Sequence, residues 1–129
     1  MQRYNNIVII NSVWGIEYYE AANGQIPVKE FVEALNVKER AKVARTIDLL
    51  EEFGINLGMP YAEHVEGELW ELRARLSHNR YRIIYFLNTW KVFIMLHGFV
   101  KKTQKISKNE LEIAKRRLRD YISRRRKGK

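Results

Sequence analysis

No cysteine occurs among the 129 residues. That single absence excludes a disulfide scaffold, cysteine-ligated zinc and thiol catalysis, and it fits a cytosolic chain. Histidine is nearly as scarce. His64, His78 and His97 show no metal-ligand spacing, so no metal site is expected. A P-loop, a dinucleotide-binding glycine pattern and a Gly-x-Ser-x-Gly elbow are all missing, and nothing else asks for a cofactor. Long apolar runs are missing too. The N-terminus offers only Ile7 to Ile10, too short for a signal-peptide core, and nowhere do the roughly 18 apolar residues of a membrane span run together. A soluble, unexported, cytoplasmic chain is the expectation.

The second half of the chain is poor in acid. Residues 69–129 hold 18 Lys+Arg against 4 Asp+Glu, net +14, whereas residues 1–68 hold 6 against 11, net −5. Such a split makes one side of the molecule an attractor for polyanions, with nucleic acid the leading partner class. A membrane surface fits less well, because the basic C-terminal helix lacks the Trp/Phe/Leu-rich face that interfacial helices bury.

A chain of this length predicts one domain, residues 1–129, with a core of its own. Residues 14–20 read as a first strand ended by Asn23-Gly24, and Pro27 sits where a first helical residue belongs. Val28, Phe31, Val32 and Leu35 then follow at helical spacing up to a break near Asn36. A second helix from Val37 is expected to turn Val43, Ala44, Ile47, Leu50 and Phe53 inward and to end at Gly54. Glycines and Pro60 mark a loop after it. Three strands are predicted next, over residues 69–76, 80–87 and 91–99, and the last of these is apolar on both faces and therefore central. Ser107 and Glu110 form a capping box before a helix that buries Leu111, Ala114, Leu118 and Ile122 and exposes Lys115, Arg116 and Arg119. Residues 1–13 read as an extension and 124–129 as a frayed basic tail. The order predicts an α+β fold, a four-stranded and mainly antiparallel sheet with its helices gathered against it.

Within that plan the stretch LWELRARLSHNRYRIIYF stands out. The two-residue strand period sends Trp70, Leu72, Ala74 and Leu76 to one face and Glu71, Arg73 and Arg75 to the other. The returning strand repeats the split, with Arg80, Arg82, Ile84 and Phe86 opposite Tyr81, Ile83, Tyr85 and Leu87. A connection from Leu76 to Asn79 sets Arg75 opposite Arg80 and Arg73 opposite Arg82; a two-residue turn at Ser77-His78 is taken to set Arg75 opposite Arg82 instead. Either register makes the arginines face each other. Like charges directly opposite destabilise a strand pair by something comparable to the roughly 0.2–1 kcal/mol of a favourable pair, so the arrangement points to an anion. The competing reading is that Glu71 and acidic neighbours neutralise the cluster.

Internal cleavage of RNA suits such a face. The 2′-hydroxyl is the nucleophile, so the protein need only remove its proton, stabilise charge on the phosphoryl oxygens and protonate the departing 5′-oxygen. Arginine serves the middle task, because its planar fork holds two phosphate oxygens and stays charged; Arg73 and Arg82 are the candidates. The third strand ends in His97-Gly98-Phe99-Val100-Lys101-Lys102, and a regular meander brings these groups beside the arginines. His97 titrates near neutrality, and a lysine crowded by arginines has a lowered pKa, so His97, Lys101 and Lys102 are candidates for proton transfer. For His97 a core histidine bonded to a backbone carbonyl is the alternative, and His78 reads as an exposed turn residue. Arg75, Arg80, Lys105 and Lys108 complete the expected RNA-binding set.

The strings IEYYEAANGQIPVKEF, LLEEFGINLGMPY, LWELR, NRYRIIYF and LHGFVKKTQKISKNELEIAKRR occur in that order. Across residues 14–121 the chain resembles the RelE/HigB-type toxins of type II toxin–antitoxin pairs, in the phage-derived Gp49-like branch. The resemblance implies a RelE-like fold, an mRNA-cleaving activity often exerted at the ribosome, and an antitoxin commonly bearing a helix-turn-helix domain. It places Arg73, Arg82, and Lys101 or Lys102 where such toxins carry basic site residues. Two departures from that pattern stand out: Leu69 and Glu71 stand where lysines are common, and Leu111 stands where a tyrosine often opens the last helix.

Overall fold

The computed structural model of the protein describes residues 13–89 and 91–127, with side chains through residue 125. The apolar run Ile7 to Ile10, most of the expected N-terminal extension and the last two residues of the tail lie outside them. Nine elements follow in order: β1 (Gly15–Tyr18), α1 (Pro27–Glu33), α2 (Val37–Phe53), a 3-10 turn (Gly54–Asn56), β2 (Ala62–Glu66), β3 (Leu69–Leu76), β4 (Asn79–Leu87), β5 (Val92–Lys101) and α3 (Lys108–Lys127). The sheet has five strands in the order β1-β5-β4-β3-β2.

The α+β class agrees with the sequence reading, but the sheet is larger than the four strands expected. The extra strand is β2, in the stretch read as loop. It is an edge strand with only Ala62 buried, so it has no apolar alternation to announce it. The sheet is also mixed, since β1 pairs parallel with β5 while all other pairings are antiparallel. The helices do not gather on one side. Helices α1 and α2 cover Leu72, Ala74, Tyr81, Ile83, Tyr85, Phe93 and Met95, while α3 covers Ile84, Phe86, Ile94, Leu96 and Phe99 on the reverse face. That two-sided burial explains why β5 reads as apolar throughout.

Local chemistry sets the helix ends. Pro27 opens α1, where its missing N–H costs nothing. Asn36, the expected break, is the N-cap of α2: its side chain accepts from the Glu39 N–H, and Glu39 reaches back to the Asn36 N–H. The other Glu39 oxygen accepts from the buried Tyr81 hydroxyl at 2.5 Å, tying the first turn of α2 to β4. Val43, Ile47 and Leu50 point inward as expected. Ala44 and Phe53 do not, and Thr46 is buried instead, because the true inward stripe runs 43, 46, 47, 50. Full burial of a side chain such as Leu50 contributes roughly 1.5–3 kcal/mol. Gly54 ends the helix at φ 57°, and a Cβ there would strike the Trp14 ring, so the position needs glycine.

At the start of α3 half of the capping box forms. Ser107 Oγ accepts from the Glu110 N–H, whereas the Glu110 carboxylate turns inward to His97. The expected tail is not frayed at Arg124. Helix α3 continues to Lys127, and Arg124 is tied to Asp120 and to the Glu20 carbonyl.

Two features of the sheet position the site. The β3–β4 turn is the two-residue Ser77-His78, and it pairs Leu76 with Asn79, Arg75 with Arg80 and Arg73 with Arg82. Linking that turn to an Arg75–Arg82 pairing was therefore wrong, because a two-residue loop closes on its immediate neighbours. The β4–β5 meander is not regular. Tyr85 pairs with Met95 but Ile84 pairs with His97, leaving Leu96 as the extra residue of a β-bulge. Beyond it, His97, Phe99 and Lys101 lie on the α3 side of the sheet with Ile84, Arg82 and Arg80. Gly98 faces α1 instead, where an added Cβ would come within 2.5 Å of Phe31.

Candidate functional site

The face carrying the arginines is built from three neighbouring strands. Ladder pairs place Arg75, Arg80 and Lys101 in one row and Arg73, Arg82 and Phe99 in the next. Alongside them Glu63 of β2 pairs with Glu71 of β3. The structure thus brings Arg73, Arg75, Arg80, Arg82 and Lys101 together, five cations beside two carboxylates.

The carboxylates are not spread evenly. Glu71 Oε2 lies 3.0 Å from Nε of Arg73 and 3.6 Å from Nε of Arg82, and Glu63 Oε1 lies 3.0 Å from Arg73 Nη2. Glu71 and Arg82 are buried, at 5% exposure each. The reading in which Glu71 neutralises the cluster therefore holds for this row. Neutralisation is incomplete in geometry, because neither Nε–H finds an aligned acceptor in the protein. Among the described residues Arg82 donates only a long bond from Nη1 to the Tyr81 carbonyl, 3.3 Å. Burial pulls Arg82 below the ordinary guanidinium value, Arg73 and Arg80 adding to the effect and Glu71 opposing it; it stays charged all the same. Arg75 and Arg80, by contrast, have no carboxylate partner among the described residues.

Lys101 is half-buried. Burial lowers its pKa first, Arg82, Arg73 and Arg80 lower it further, and Glu71 raises it. An amine held this way is neutral more often than an exposed lysine, which is what proton transfer near neutrality needs. Lys102 and Lys105 are exposed and line a second hollow of ≈ 270 Å³ together with Lys101, Phe99 and Glu110. Lys108 is exposed at the first turn of α3 and lines neither this hollow nor the arginine groove.

His97 sits on the same side of the sheet but inside it. Its Nε2 is 2.5 Å from Glu110 Oε1 and its Nδ1 is 3.3 Å from Arg117 Nη1, while the ring stacks on Phe99. A guanidinium only donates, so Nδ1 accepts and the neutral ring carries its proton on Nε2, donating to Glu110. Burial lowers the His97 pKa, with Arg117 and Arg116 adding and Glu110 opposing. Its partners are side chains, not the backbone carbonyl of the alternative reading, and Arg117 itself also donates to the Leu96 carbonyl. His78 is an exposed turn residue.

An open groove of ≈ 370 Å³ runs along the arginines and round the free edge of β3, lined by Arg73, Arg75, Arg80 and Arg82 and also by Lys42 and Thr46 of α2 and by Pro60 and Tyr61. Sequence reasoning did not find Glu63, Lys42, Thr46 or Tyr61. Glu63 was hidden in a strand taken for loop and Tyr61 in the turn just before it, and the α2 pair approaches only through the tertiary fold. Among the described residues no group of three or more His, Asp and Glu is placed to hold a metal ion, and no helix is long and apolar enough to cross a membrane.

The positions expected to be lysine or tyrosine have other duties here: Leu69 is buried in the α3-side core, Glu71 centres the ion cluster and Leu111 packs against the same core. The nearest tyrosine of that last helix, Tyr121, packs edge-on against Phe86.

A protein-family model described as Phage derived protein Gp49-like matches residues 30–119, more than two thirds of the chain. No curated protein matches.

Proposed function

The chain belongs to the phage-derived Gp49-like family, which is associated with the toxins of toxin–antitoxin pairs, and from that premise we infer that it is an endoribonuclease toxin acting on mRNA at the ribosome. The observation that carries this reading is the open sheet face on which Arg73, Arg75, Arg80, Arg82 and Lys101 outnumber Glu63 and Glu71.

In this reading the substrate supplies its own nucleophile. The 2′-oxygen attacks phosphorus as its proton leaves for a base, the bond from phosphorus to the 5′-oxygen breaks, and that oxygen takes up a proton. Lys101, with its lowered pKa, is the candidate to move a proton. Arg82 and Arg73, held by Glu71 in a fixed orientation, stabilise the charge that builds on the phosphoryl oxygens; donors aimed in advance lose nothing to reorganisation. Arg75 and Arg80 grip neighbouring phosphates, and Lys102, Lys105 and Lys108 extend that grip. His97 supports the face from within, stacked on Phe99. A protein antitoxin, of the kind that commonly bears a helix-turn-helix domain, restrains the activity.

Brief induction in cells followed by primer extension on mRNA tests this directly. Growth arrest with new 5′ ends is expected from the native chain and neither from Arg82→Ala. Persistent arrest by a folded Arg82→Ala chain rules out this site.

A second reading has its own observation. Glu71 and Glu63 already occupy Arg73 and Arg82, and Leu111 stands where relatives often have tyrosine. A non-catalytic RNA- or ribosome-binding module would use Arg75, Arg80 and the lysines alone. Steeply salt-dependent binding without any cleaved product would select it.

A further inference from the structure

The arginine groove does not end at the sheet. It shares Lys42, Thr46 and Tyr61 with an adjoining hollow of ≈ 170 Å³ that continues along α2 to Arg45, Leu49 and Phe53. Two aromatic rings stand open there, Tyr61 at 41% and Phe53 at 45% exposure. At 100° per residue Lys38, Lys42, Arg45, Leu49 and Phe53 fall on one stripe of the helix, with Glu52 at its edge beside Arg45 and with Asp48 and Glu51 turned away from it. Lys38, Lys42 and Arg45 are exposed, and none pairs with a carboxylate among the described residues. Glu39, the acid beside the stripe at its start, is held by Asn36 and Tyr81. Tyr61 is fixed at the junction: its N–H donates to the Gly58 carbonyl at 2.9 Å and its own carbonyl accepts from the Arg73 N–H at 2.7 Å.

Cations tracking a backbone, interleaved with exposed rings on which bases stack, are the two parts of a single-strand binding groove. We propose that a single-stranded RNA leaving the arginine face crosses the edge of β3 at Tyr61 and continues along α2, its phosphates on Lys42 and Arg45 and its bases stacked on Tyr61 and Phe53. This rests on the reading of the arginine face as an RNA site and extends it. From Lys42 to Phe53 the helix rises about 16 Å, room for roughly five stacked nucleotides at about 3.4 Å each. Sequence context around the gripped phosphate is then felt on this side, through stacking.

The test uses the full chain and 2′-O-methyl oligonucleotides, which cannot supply a nucleophile and so report binding alone. Fluorescence anisotropy compares a strand of about 4 nucleotides with one of about 12, long enough to fill both grooves. The native chain is expected to prefer the longer strand. Tyr61→Ala should weaken the long strand roughly 5- to 10-fold, the low end for a stacked base, and Tyr61→Phe should retain it. Lys42→Glu with Arg45→Glu should remove the preference for length, and Lys42→Ala alone should lower the salt slope by about 0.7. Arg80→Ala should weaken both strands alike. If Tyr61→Ala and the double reversal keep native unfolding midpoints and an intact preference for length, the track does not exist even though the arginine face binds RNA. If the native chain binds neither strand, the reading beneath it fails as well.

Discussion

In the Arg73–Arg82 row Arg82 is buried and Arg73 half-buried, and Glu71 and Glu63 crowd them. One pair nearer the turn, the Arg75–Arg80 row is open, next to Lys101, and free of carboxylates among the described residues. The same cross-strand repulsion is handled in two ways. In the inner row acid takes it up and fixes the guanidinium groups in place; in the outer row solvent screens it and the charge stays available. Orientation and attraction are thereby divided between neighbours, so removing one should not imitate removing the other.

The sharpest break is Glu71→Ala. It strands a buried Arg82, and losing one partner of a buried pair costs about 3–5 kcal/mol, read as a fall in the urea midpoint at unchanged m-value. Arg75→Ala should leave the midpoint within about 0.5 kcal/mol. Equal losses would erase the distinction between the rows. Arg82→Ala comes next: cleavage should fall about 10²- to 10³-fold, the size expected for a donor aimed at developing charge, with RNA affinity changed far less. Arg75→Ala and Arg80→Ala should show the mirror image, weaker binding and a salt slope reduced by about 0.7 each, with the cleavage step itself nearly intact once RNA saturates. Smallest is the effect of acid on His97. Its folded pKa lies below the unfolded value, so the unfolded chain binds the proton more readily; stability is penalised below the folded pKa and recovers as pH rises toward about 6.5. The slope cannot exceed about 1.4 kcal/mol per pH unit, and it should vanish in His97→Gln. A pH profile identical in His97→Gln and the native chain would show that another group sets it.

Much of this organisation was readable from residue order. The alternation of LWELRAR and NRYRIIYF predicts the shared arginine face because a strand has only two sides, and Glu71 was visible on that side beforehand. Helix α2 carried its own start signal in Asn36 and Glu39. What escaped was non-local. AEHVE gains strand structure only by pairing with β3, and the parallel partner of β1 lies some 77 residues away in sequence. Glu110 looked like a capping residue and is one by its backbone, but its carboxylate answers to a histidine thirteen positions earlier. Nothing near Lys42 in the chain announces that Tyr61 will stand beside it. At the arginine site itself, sequence identified the cations and not the degree to which two of them are already engaged.

The bulge at Leu96 sets which residues of β5 share a face with the arginines. Were β5 to pair without it, Gly98 would lie opposite Arg82 and Val100 opposite Arg80, and Lys101 would be turned toward α1 and α2. One added backbone unit therefore decides whether that row ends in an amine or an isopropyl group. A slip of a single position would rewrite the chemistry of the face while leaving every side chain in the protein as it is.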